Sequence, residues 1–182
     1  LNKSDCSLGI WAPTLRHHAG RFYMVTTNTT IRRNFYVTAE DPSGPWSEPV
    51  WLDEEGFDPS LFFDDDGTAY YTRKGGHDKQ SEGIYQARID INSGKLLETP
   101  RLVWTGTGGM AMEAPHLYRI AGTYYMVLAE GGTHMGHMVT IGRSPSPWGP
   151  YESCPHNPIL THRDNGRSEI QMTGHGDLEN DR

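Results

Sequence analysis

The feature that most limits what this chain can fold into is a repeated frame. "APTLRHHAGRFYMV" (12–25) and "APHLYRIAGTYYMV" (114–127) align without a gap and lie 102 positions apart, with Ala, Pro, Leu, Gly, Tyr, Met and Val at identical offsets. Between them, "DPSLFFDDDGTAYYT" (58–72) follows the same frame with one extra residue before its glycine. Each copy reads Pro-x-Leu, a Gly-centred turn and an aromatic-rich strand. Repetition on this scale means that one supersecondary unit is stacked on copies of itself.

The remainder of each unit repeats as well. "FYVTAEDPSGPW" (35–46) resembles "MVTIGRSPSPWGPY" (138–151), and "GIYQARIDINSGKL" (83–96) stands in the equivalent place of the middle unit. "PVWL" (49–52), "RLVW" (101–104) and "NPIL" (157–160) read as outermost or linking strands. Each unit thus holds about four short strands over roughly 45–55 residues, the signature of a propeller blade. The 21 Gly and 12 Pro favour short strands with tight turns, and helical periodicity is nearly absent. The expected class is all-β: a partial β-propeller with blades at about 11–52, 57–104 and 112–160, and the start of another at 170–182, where "TGHGDLENDR" opens a fourth frame.

Composition excludes several functions. The net charge is −7 with scattered Lys and Arg, a poor match to nucleic-acid phosphates. No apolar run is long enough to span a membrane, and the first residues show no signal-peptide pattern. Cys6 and Cys154 are too few for a disulfide scaffold and read as thiols. Asp64-Asp65-Asp66-Gly67 lacks the spacing of an EF-hand loop and reads as a hairpin turn. His134 and His137 have no matching cluster of further zinc ligands. "GTGG" (106–109) lacks the Lys-Ser/Thr of a phosphate loop.

In a propeller the mouths of the innermost strands converge on one pocket. The mouths of the four frames carry Trp11, Asp58, Glu113 and His175, which are expected to occupy equivalent positions. Paired carboxylates facing a pocket suit glycoside hydrolysis, which needs a proton donor and a base or nucleophile. A second nearby carboxylate keeps the donor protonated near neutral pH. Trp11 offers a flat apolar face for a sugar ring.

These motifs carry a resemblance. "GIWAPTL", "DPSLFFDDDG", "MEAPHLY", "EGGTHMGHMVTIGRS", "CPHNPIL" and "TGHGDL" together resemble glycoside hydrolase family 43, in its β-xylosidase and α-L-arabinofuranosidase members. The resemblance implies a five-bladed propeller and an inverting mechanism on terminal β-D-xylose or α-L-arabinofuranose. An endo-arabinanase of the same fold and a non-catalytic carbohydrate-binding propeller stand as alternatives. It further implies that Glu113 is the general acid and Asp58 the acid that orients the sugar and tunes it. Trp11, Thr133, His137 and His175 would contact the substrate. No cofactor is required by the resemblance, and in some relatives a calcium ion sits beside the histidine matching His175. The family's general base lies in an Asp-Pro motif upstream of Trp-Ala-Pro; Asp5, in "KSDCS", lacks that setting and is not assigned.

Overall fold

The computed structural model describes residues 8–76 and 82–179. Asp5 and Cys6 lie outside these residues, and Cys154 is a free thiol. The described residues contain no helix. They form three antiparallel sheets, each an up-and-down meander, and together these are three blades of a β-propeller.

The first blade runs β1 (Thr14–His18), β2 (Arg21–Asn28), β3 (Arg33–Ala39) and β4 (Val50–Trp51). The second runs β5 (Phe57–Phe63), β6 (Ala69–Lys74), β7 (Ile84–Asp90), β8 (Lys95–Leu96) and β9 (Arg101–Trp104). The third runs β10 (Glu113–Ile120), β11 (Thr123–Glu130), β12 (Met138–Ser144), β13 (Glu152–Ser153) and β14 (Leu160–Thr161). The outermost strand of the second and third blades differs from the simple four-strand expectation. It comes in two short pieces, β8 and β9 both pairing with β7, and β13 and β14 both pairing with β12.

The repeated frame has a backbone reason. His18 pairs with Arg21 and Ile120 with Thr123, leaving Ala19-Gly20 and Ala121-Gly122 as two-residue loops. All four residues have positive φ, the conformation of a type I′ turn, whose twist matches that of the flanking strands. The middle blade uses the longer Asp64–Thr68 turn instead, closed by Asp64 N–H to Thr68 O at 2.9 Å.

Two apolar seams join the blades. Val25, Tyr36, Leu52, Leu61, Tyr71 and Ile89 pack between the first and second, and Ile84, Trp104, Leu117, Tyr124, Met126 and Leu128 between the second and third. The middle blade is therefore covered on both faces. All six residues of β6 are buried, including Thr72, Arg73 and Lys74, so the usual in–out alternation of a one-sided sheet is lost.

Polar groups lock the same seams. Asp53, in the link from β4 to β5, accepts hydrogen bonds from Tyr71 Oη and Arg73 Nε, both at 2.6 Å. Tyr71 Oη in turn accepts from Asn34 Nδ2 at 2.7 Å. Across the other seam Asp64 accepts from Tyr124 Oη at 2.5 Å and Arg119 at 3.1 Å. The acid-rich turn thus serves as a clasp to the next blade.

Removing Asp53 leaves the Arg73 guanidinium, whose side chain is only 3% exposed, with the exposed Glu55 carboxylate at 2.9 Å as its remaining anion. Asp53→Ala is expected to lower unfolding stability by about 3 kcal/mol or more, measured as a reduced urea midpoint at unchanged slope.

Candidate active site

Proline shapes the mouths of the inner strands of the second and third blades. Pro59 and Pro115 have no N–H to give the ladder, and the chain accommodates each with a bulge. Phe57 pairs with Lys74 and Ser60 with Thr72, so residues 58 and 59 face Arg73 alone. Glu113 pairs with Ala129 and His116 with Val127, so residues 114 and 115 face Leu128 alone. The residue before each proline adopts a left-handed conformation, with φ of 49° at Asp58 and 50° at Ala114. His175 has the same φ of 49° one residue before Gly176 of the fourth frame.

This geometry corrects the expected equivalence. Trp11, Asp58, Glu113 and His175 do not share one position. Trp11, Phe57 and Glu113 form one set: Trp11 N–H bonds Thr27 O at 3.1 Å, as the register of β2 requires. Asp58, Ala114 and His175 form the next. Counted from the prolines, Trp11, Phe57 and Glu113 stand two residues before and Asp58 and Ala114 one before, and the bulges at 58–59 and 114–115 bring both positions to the mouth.

The two sets interlock. Asp58 is 9% exposed, and its carboxylate accepts a hydrogen bond from the backbone N–H of Ala114, the neighbour of Glu113. Burial pushes the Asp58 carboxyl up to about 6, against the opposing pull of that N–H and of the Lys74 charge. The Glu113 carboxyl is also raised, first by burial and then by the negative charge of Asp58. His137, His175 and Lys74 oppose that rise. Burial lowers His175, with Glu113 and Asp177 pulling the other way. The pair therefore favours a state with a proton on one of the two acids.

A cavity of about 680 Å³ opens above them. Glu113, Trp11 and Thr133 line it, together with Phe57, Lys74, Glu82, Met110, Ala111 and His134. Trp11 and Phe57 meet edge to face, with ring centroids 5.6 Å apart. Asp58 lies behind this wall. His137 is also withdrawn from it: buried, its Nδ1 against Met172 O at 3.0 Å, its ring against Gly174, its Nε2 without a hydrogen-bond partner. His175 stacks edge-on against His116, centroids 6.0 Å apart. A second hollow, of about 740 Å³, lies at the far end of the inner strands beside Arg16, Tyr118 and Asp177. There Asp177 pairs with Arg16 at 2.5 Å, with Tyr118 Oη and His116 around it.

The profile of the glycosyl hydrolases family 43 matches residues 1–182. The chain belongs to glycosyl hydrolase family 43. It is 44% identical to a xylosidase/arabinosidase of Butyrivibrio fibrisolvens, over 97% of this chain and 36% of that protein. It is 42% identical to a non-reducing end α-L-arabinofuranosidase of Bacteroides ovatus, over 93% of this chain and 32% of that one. The crystal structure of a xylan β-1,4-xylosidase from Bacillus halodurans superposes with a TM-score of 0.87 at 38% identity, covering 93% of this chain and 35% of that one. The chain thus spans about a third of the length of the relatives it matches.

Within this family 43 segment, sequence reasoning passed over Lys74, Phe57 and Glu82. Phe57 could have been found by aligning the frames on their prolines, which sets it opposite Trp11 and Glu113. Lys74 gave no such signal, because a lysine ending a strand is ordinarily solvated. Its burial follows from the double cover of the middle blade and from Gly56. A Cβ at Gly56 would sit 1.9 Å from Lys74 O, so only glycine lets the link approach there. Calcium takes six to eight oxygen ligands. Among the described residues no three His, Cys, Asp or Glu side chains gather to hold a metal ion, and other ligands would have to be backbone carbonyls, amides or water.

Burial of Asp58 sets a pH-dependent cost. Below about pH 3.8 both folded and unfolded states carry the proton. As pH rises toward 6 the unfolded carboxyl ionises first, so stability falls, and the full penalty holds above about 6. Asp58→Asn keeps an oxygen for Ala114 N–H and removes the charge. It is expected to raise stability at pH 7.5 by up to about 3 kcal/mol, a gain that disappears near pH 4. Urea unfolding at the two pH values checks this.

Proposed function

We propose that this segment supplies the proton-donor side of a glycosidase pocket that releases terminal β-D-xylose and α-L-arabinofuranose from plant cell-wall oligosaccharides with inversion. One observation carries the reading: Glu113 faces the cavity with a raised carboxyl pKa while Asp58 is buried behind it, bonded to the adjoining backbone. A general acid must hold its proton near working pH and reach the leaving oxygen. Glu113 meets both demands. Asp58 anchors the Ala114 backbone and, when ionised, favours the protonated form of Glu113.

Trp11 and Phe57 give the sugar ring an apolar wall, and Lys74 and Thr133 offer polar groups to its hydroxyls. His137 and His175 sit close enough to Glu113 to act on its charge, so their role is support of the donor. The base that activates water is assigned outside the described residues, in the Asp-Pro motif that the family resemblance places upstream of Trp11. Inversion requires that base roughly 6.5–9.5 Å from Glu113, leaving room for water between them and the anomeric carbon. Relatives named for xylosidase and for arabinofuranosidase activity support both sugars as substrates.

In the intact protein, Glu113→Gln is expected to lower kcat on xylobiose by about 10²–10⁴-fold while sugar binding persists. Proton NMR of an aryl β-D-xyloside digest should show α-xylose first. If the β-anomer appears first, inversion is wrong; if Glu113→Gln keeps full activity, the donor lies elsewhere.

A further inference from the structure

One buried carboxylate has no part in the chemistry above. Glu130, the last residue of β11, is fully buried, and no Arg or Lys among the described residues forms an ion pair with it. Both its oxygens are turned to one loop residue. Oε1 accepts the backbone N–H of Thr107 at 2.7 Å, and Oε2 accepts the Thr107 hydroxyl. The loop wraps the carboxylate so closely that a Cβ at Gly106 would lie 2.0 Å from Oε1, and one at Gly109 3.0 Å from Oε2. The next residue adds a second tie, Gly131 N–H to Met110 O at 2.7 Å.

The loop held in this way, 105–112, runs directly into Glu113. Its Met110 and Ala111 form part of the cavity wall, and Met112 is buried in the seam between the blades. On the other side of the ladder Ala129, next to Glu130, is the register partner of Glu113. Glu113 is therefore held from two directions by the end of one strand: across the ladder by Ala129, and along the chain by the loop that Glu130 grips.

A buried acceptor that loses its donors is costly, and two hydrogen bonds to one residue fix direction as well as distance. The second property suits a joint that must not yield. We propose that Glu130 is a positioning residue for proton donation, fixing the 105–112 loop through Thr107 so that the Glu113 carboxyl meets the leaving oxygen. The inference rests on Glu113 being the donor.

The test compares two substrates in the intact protein. Xylobiose has a leaving group that needs a proton; 2,4-dinitrophenyl β-D-xyloside has one that does not. Glu130→Gln, Thr107→Val, the double variant and Glu113→Gln are measured on both. Glu130→Gln and Thr107→Val should each lose about tenfold to 100-fold in kcat on xylobiose, and less than about threefold on the dinitrophenyl xyloside. The double variant should lose little more than the worse single one, because both changes act on the same contact. Thr107 is an exposed loop residue, so Thr107→Val decides the matter if Glu130→Gln does not fold.

Equal losses on the two substrates, or none on xylobiose, overturn the inference. If Glu113→Gln shows the leaving-group dependence and the Glu130 and Thr107 variants do not, the positioning role alone falls. If Glu113→Gln itself shows no such dependence, the donor assignment falls and takes this inference with it.

Discussion

The site depends on the inability of proline to join a β-ladder. Pro59 and Pro115 sit where the inner strands of two neighbouring blades begin, and each forces an extra residue into its strand. A left-handed residue that is not glycine carries a strain of about 1–2 kcal/mol, and both bulges accept it. In return the bulges bring Asp58 of one blade against the Ala114 N–H of the next. That hydrogen bond joins two carboxyl-bearing strands that would otherwise only run side by side. The raised proton affinities of the two acids follow from burial in a poorly hydrated corner, which the Ala114 N–H only partly opposes at Asp58.

A corner of this kind works against stability, and the surrounding packing offsets it. The middle blade is pressed between its neighbours, with Leu61 and Tyr71 in one seam and Ile84 in the other, all nearly inaccessible. Full burial of each such side chain contributes about 1.5–3 kcal/mol. Asp53 and Asp64 add directional ties across the same two seams. Lys74 ends up inside for the same reason, and its charge moderates both acids. The packing that closes the seams thereby also sets the electrostatics of the pocket.

Much of this was legible in the sequence, and the limits are physical. The repeat revealed the strands because type I′ turns demand Gly at one fixed place and inner strands demand large apolar residues. The wall residues Trp11 and Glu113 were legible because polar or aromatic residues at strand mouths stand out against an apolar frame, whereas Thr133, in the loop between β11 and β12, came only with the family resemblance. The expected equivalence of Asp58 with Trp11 and Glu113 fails on a point the frame does carry, since Asp58 stands one residue before its proline and the other two stand two before. What spacing leaves unmarked is the bulge that brings both positions to the mouth. Lys74 and Glu130 were hidden for a different reason. A strand-end Lys or Glu is usually solvated, and only three-dimensional cover from neighbouring blades and glycine loops makes it buried.

The interrupted outer strands have a consequence at the rim. A long, straight edge presents a row of unpaired N–H and C=O groups on which another chain can build. Here the outermost segments are two residues long at β4, β8, β13 and β14, and four at β9. None offers more than a fragment of ladder, and the two pieces within a blade meet their shared neighbour at different points. The breaks that look like imperfections in the blade pattern give its circumference resistance to edge-to-edge aggregation.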